Sequence, residues 1–121
     1  MKQEKVLLVI VDFQKPGDWP TEYVIEELAE LVKGCGGVVA GEILCRVAKI
    51  SPGYLIGQGK LKEIIDFCAQ TPPDSIVFSH DLKGSQQRNL EEKIQVKTID
   101  RTQLILDIFA RHASSMEGKM Q

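Results

Sequence analysis

The sequence has little that would support export, a disulfide framework or covalent catalysis. Its three cysteines, Cys35, Cys45 and Cys68, form no C-x-x-C pair, are odd in number and lie in or beside apolar runs. Reduced core thiols in a cytoplasmic protein are therefore expected. No leader-like segment stands out, and the apolar stretch Val6–Val11 is too short to cross a bilayer before Asp12 closes it. Histidine is scarce: His80 and His112 are far apart and neither pairs with a serine or cysteine, so no nucleophile–base constellation emerges and no catalytic residue is assigned. Positive charge is not in excess, since 15 Lys/Arg face 17 Asp/Glu for a net charge of −2, which excludes a protein coated in cations. There is no internal repeat and no low-complexity linker.

What is present suits one soluble α/β domain. A length of 121 residues allows a single core, and 43% hydrophobic with 26% charged residues is ordinary for a globular chain. The charges are unevenly placed. Residues 1–42 carry 4 Lys/Arg and 8 Asp/Glu, a balance of −4, and residues 43–121 carry 11 and 9, a balance of +2. An anionic partner is thus expected at the later loops. Glu22, Glu26, Glu27 and Glu30 read as the solvated outer face of the first helix.

Periodicity alternates along the chain. "KVLLVIVDF" (5–13) is a β-branched run suited to a strand buried on both faces. From Thr21 the spacing becomes helical, with Val24, Ile25, Leu28, Leu31 and Val32 on one stripe and closure at Gly34 or Gly36. "VVAGEILC" (38–45) is a second strand interrupted by Gly41 and Glu42, and 60–70 is a helix burying Leu61, Ile64, Ile65 and Cys68 until Pro72–Pro73. "SIVFS" (75–79), a polar helix over 85–94 with Leu90 and Ile94 as its core contacts, and "VKTI" (96–99) follow. A last helix starts near Asp100, which has capping-box spacing to Gln103, and packs Leu104, Ile105, Ile108 and Phe109 on the sheet. This alternation predicts a small Rossmann-like three-layer sandwich: a four-stranded parallel sheet with helices on both faces. The continuously apolar strands go to the centre, giving the order 2-1-3-4.

Ligands of such sheets sit beyond the carboxyl ends of the strands. The residues expected there are Lys15 after strand one; Arg46, Lys49, Tyr54, Gly57, Gly59 and Lys60 after strand two; His80, Lys83 and Arg88 after strand three; and Arg101 after strand four. Cations at each strand end, with helix amino termini among them, make a candidate surface for RNA or nucleotide phosphates. "GYLIGQGKLKEI" (53–64) invites a phosphate-loop reading, but five residues separate Gly53 from Gly59 and Leu61 stands where a magnesium-binding Ser/Thr belongs. Gly57 and Gly59 would still permit positive φ and close backbone approach. Asp12, Asp81 and Asp100 fall near strand ends, where a magnesium site would need them, but turn and capping roles account for them better. No metal ligand is assigned.

"SPGYLIGQGKLKEI", "SQQRNLEE" and "IDRTQLILDIFARHASSMEGKMQ" together resemble the amino-terminal domain of the HflX family of ribosome-associated GTPases. The resemblance spans essentially the whole chain and implies an HflX-type domain over 1–113, with 114–121 beginning a connecting helix whose Met116–Gln121 end frays. It implies that GTP and magnesium belong to a later GTPase domain, whose motifs this sequence lacks, so that this chain alone would not hydrolyse GTP; ATP is a further candidate ligand. It implies as partners the large ribosomal subunit with its RNA and the family's own GTPase domain, in the cytoplasm, without a membrane span. Departures from the family pattern are Lys83–Gly84 in place of Ser/Thr-Pro, which removes a cap and should loosen that loop, and Ser114–Met116 and His112 at commonly basic positions.

Overall fold

The structure, a computed structural model, describes residues 3–120, with side chains described through residue 110. The readings made at His112, Ser114–Met116 and the end at Met116–Gln121 concern side chains outside those described. Eight elements alternate: β1 (Lys5–Asp12), α1 (Thr21–Gly34), β2 (Val38–Arg46), α2 (Gln58–Gln70), β3 (Ser75–Phe78), α3 (Gly84–Ile94), β4 (Lys97–Asp100) and α4 (Arg101–Met120). All strand pairings are parallel and the order is β2-β1-β3-β4, as the strand compositions predict.

The period-two alternation of β1 divides the core into two layers. Leu7 and Val9 point into one cluster with Leu61, Ile64, Cys68, Leu90 and Ile94, which α2 and α3 supply. Val6, Leu8 and Ile10 point into the other, with Leu28 and Val32 of α1 and Leu104 of α4. The crossovers therefore leave β1 and β3 toward opposite faces, which makes their junction the switch point of the sheet.

Local sequence explains the boundaries. α1 ends at Gly34, and Gly36 at φ +80° lets the Gly36 and Gly37 amides return to the carbonyls of Lys33 and Val32. β2 is a single edge strand, irregular just before Gly41, where its apolar run is interrupted. Its register against β1 shifts between Val6 and Leu7, so Ala40 has no partner and the strand continues past the irregularity. Gly41 is needed there because a Cβ would lie 2.8 Å from Cζ of Phe67. On α4, Leu104 is buried and Ile108 packs on the core, but Phe109 is 68% exposed. The expectation that Phe109 packs on the sheet is corrected: the position lies one residue beyond Ile108 and turns away by the helical step.

Candidate nucleic-acid interface

The β1–α1 loop is shaped by its own carboxylates. Asp12 Oδ1 accepts the Gln14 amide at 2.8 Å, with Gln14 at φ 56°, and Asp18 Oδ2 accepts the Lys15 amide at 3.1 Å. The Lys15 ammonium then lies 5.7 Å from the Phe13 ring centroid, and His80 meets the same ring edge-on at 4.8 Å. Lys15 and His80 are thus brought together around Phe13 at the switch point. The cavity beside them, about 230 Å³, is lined by Asp12, Asp18, Phe13, Trp19 and His80 among others, and by no lysine or arginine. Two carboxylates without a lining cation make poor ground for a phosphate, so the switch point does not have the electrostatics expected of it.

The strand-two loop is stitched to α3. Gln86, itself 3% exposed, donates to the Ser51 carbonyl at 3.4 Å, and Asn89 Nδ2 donates to the Gly53 carbonyl at 3.0 Å. Ser51 and Leu55 exchange backbone hydrogen bonds across a tight turn that holds Leu55 at φ 67° with its side chain buried. This stitching draws the loop that follows Arg46 and carries Lys49 against α3, which has Lys83 as its amino cap and bears Arg88. All four cations are exposed and none forms an ion pair among the described residues.

Gly57 and Gly59 do not use the positive φ that glycine permits. Gly57 is the amino cap of α2 at φ −75°, and Gly59 lies within its first turn. No side chain caps this end, and a Cβ at either glycine would meet nothing within 4 Å. The first amides of α2 are therefore open to a ligand. Lys60, a candidate phosphate contact, pairs with Glu63 at 3.0 Å on the exposed helix surface, a weak and screened contact.

Arg101 is half-exposed and turned toward α1. Its Nε donates to Glu27 Oε1 on α1 at 2.6 Å, and this hydrogen bond raises the guanidinium pKa still further. Asp81 accepts the Thr102 hydroxyl at 2.8 Å, and Asp100 accepts the amides of Leu82 and Gln103 at 2.9 Å each. The aspartates thus have structural work, and among the described residues no group of three His, Cys, Asp or Glu side chains could hold a metal ion. The Lys83–Gly84 departure removes less than expected, because Gln86 Oε1 accepts the Lys83 amide at 3.0 Å and restores half of a capping box.

Sequence reasoning missed Lys62 and Lys93. Together with Tyr54, Gly59, Leu61 and Ile65 they line a concavity of about 510 Å³ on the outer side of α2 and α3, with no carboxylate in its lining. The signal was available: Gln58, Leu61, Lys62 and Ile65 stand at i, i+3, i+4 and i+7, one stripe of α2 beginning at its glycine cap. Attention to strand ends alone passed over it.

The comparisons with known proteins agree with this architecture. The family described as "GTP-binding GTPase N-terminal" matches residues 22–110. GTPase HflX of Alkalihalophilus pseudofirmus is 40% identical over 118 residues, covering 98% of this chain and 28% of that protein. GTPase HflX of Escherichia coli is 37% identical over 119 residues, covering 98% and 27%. The chain thus spans under a third of the length of these relatives. Among solved structures, the complex of SsGBP with GDP superposes with a TM-score of 0.67 at 25% identity, over 96% of this chain and 32% of that one. A GTP-binding protein from Sulfolobus solfataricus, also with GDP, gives 0.62 at 21% identity over 88% and 30%, a likeness of fold. No helix among the described residues is long and apolar enough to cross a membrane. A family match over residues 22–110, alignment of 98% of this chain to HflX proteins and the β2-β1-β3-β4 sheet place this chain in the GTP-binding GTPase N-terminal family, as the amino-terminal domain of an HflX-type GTPase.

Proposed function

We propose that the domain docks an HflX-type GTPase on the RNA of the large ribosomal subunit, in the cytoplasm, and does not itself hydrolyse GTP. GTP and magnesium would be held by the GTPase domain that such proteins carry elsewhere, and that domain is the intramolecular partner of this one. The observation that carries the reading is the open amino end of α2, where Gly57 and Gly59 leave the first amides unobstructed beside the carboxylate-free Tyr54–Lys62–Lys93 concavity. Backbone amides at a helix start favour a phosphate, lysines follow the RNA backbone, and an aromatic face accepts an unstacked base.

Binding of the chain to large subunits, followed by sedimentation, tests this. With about four phosphate contacts, affinity falls roughly a hundredfold between about 50 and 200 mM salt. Charge reversal of Lys62 and Lys93 together reduces that dependence. Salt-insensitive binding, or binding indifferent to these reversals, would overturn the reading. A purine nucleotide is the competing ligand for the same helix end, and a saturable thermal shift with ATP would favour it. Against that, the β1–α1 loop and the Gly57–Lys60 segment border separate cavities rather than one enclosing site.

A further inference from the structure

On the sheet face opposite α2 and α3, α1 carries a stripe that the core does not fully use. Tyr23, Glu26, Glu27, Glu30 and Leu31, at i, i+3, i+4, i+7 and i+8, line a shallow groove of about 380 Å³. At its head Trp19 and Tyr23 stack, with ring centroids 5.0 Å apart and planes at 25°. Both remain in water, 72% and 48% exposed. Aromatic surface of this size, left outside the core, is a feature of interaction sites. The rim fixes the sign of the occupant. Glu22 and Glu26 have no ion pair among the described residues, and Glu30 meets only Lys33, at 3.6 Å with both side chains mostly exposed. A polyanion is repelled here. A guanidinium, by contrast, stacks on aromatic faces and binds carboxylates in one plane. The domain already displays that chemistry, since Arg101 donates to Glu27 of this same stripe.

We propose that the α1 groove docks an arginine-bearing amphipathic polypeptide segment, its apolar side chains on Trp19, Tyr23 and Leu31 and its guanidinium groups on Glu26 and Glu30. This surface is independent of the RNA-facing side, because α1 and α2 cover opposite faces of the sheet.

Trp19 is the sole tryptophan, so its emission reports occupancy directly. The probe is a synthetic amphipathic peptide of leucine and arginine at helical spacing. The expected result is a saturable emission change, weakened at least tenfold by the double substitution Glu26→Lys/Glu30→Lys and by Tyr23→Ser. The control pair Glu91→Lys/Glu92→Lys on α3 should alter it less than twofold. Glu26→Gln/Glu30→Gln repeats the test with the smallest change should the lysine pair fail to fold. A linear, unsaturating response overturns the proposal, as does equal weakening by the α3 pair, which would mean attraction to bulk charge. Equal binding of a leucine–glutamate peptide, or self-association through Trp19 that the peptide does not compete, overturns it too.

Discussion

Arg101 and Glu27, 74 positions apart, are joined by a 2.6 Å hydrogen bond from Nε to Oε1 that pins the start of α4 to the middle of α1. The contact takes a cation from the end of the last strand and turns it toward α1, in the helix layer that α1 shares with α4. Their side chains are 40% and 33% exposed, so solvent screens the pair and its coupling is small. A double-mutant cycle of Arg101→Ala and Glu27→Ala should give about 0.5–1 kcal/mol by urea denaturation. Arg101→Ala should leave binding to large subunits within about twofold, because the side chain does not face that surface. A loss as large as that from reversing Lys62 and Lys93 would contradict the placement.

Asp100 links three segments through one carboxylate, accepting the amide of Leu82 before α3 and that of Gln103 in α4. It is 6% exposed. Asp100→Ala removes a cap and strands the Leu82 amide, costing about 2–3 kcal/mol. Asp100→Asn keeps one acceptor oxygen and should recover roughly half of that. The urea midpoint at unchanged m measures both.

Gly41 and Phe67 fit only because one has no side chain. A Cβ at Gly41 would approach the ring to 2.8 Å, so Gly41→Ala should destabilise by about 1–3 kcal/mol through overpacking. Phe67→Leu in the same chain should relieve much of that loss. Additive effects of the two changes would show that the clash is not the cause.

Cys45 is fully buried, and burial drives its thiol pKa from 9.0 up to about 11, with Lys60 pulling against the shift and Glu63 adding to it. The folded state holds this proton more tightly than the unfolded state. Cys45 therefore costs nothing below pH 9, and stability drains away as pH climbs from 9 to about 11. Cys45→Ala should flatten that part of the stability–pH curve relative to the parent chain. Absence of any difference across the window would refute the assignment. Cys45 should also react with maleimide only as fast as the protein opens.

Much of this architecture was legible because the relevant signals are local. The unbroken apolar run of β1 and the short apolar β3 announce two-sided burial, and together they fix the centre of the sheet. The Asp100–Gln103 spacing announces a reciprocal cap, and both of its hydrogen bonds form, at 2.9 and 3.2 Å. The surroundings of the candidate cations were legible only in part, because a side chain's partner can lie anywhere in the chain. Nothing near Arg101 in sequence points to Glu27. Asp12 and Asp18 flank Lys15 closely in sequence, but only the folded turn shows that both carboxylates line the adjacent cavity while Lys15 does not. Lys62 and Lys93 belong to different helices, and only the packing of α2 beside α3 makes them neighbours.

The central place of β1 has a consequence for how the domain is made. Of these four strands Lys5–Asp12 emerges before its neighbours; it can take β2 along one flank once Arg46 has emerged, but its other flank belongs to Ser75–Phe78. For the intervening interval of translation, a valine- and leucine-rich ribbon has half of its backbone amides and carbonyls unmatched. Such a nascent intermediate is prone to wrong pairing and suited to chaperone capture. Chains stopped before Ser75 should accumulate as insoluble material, and those extended through α4 should not.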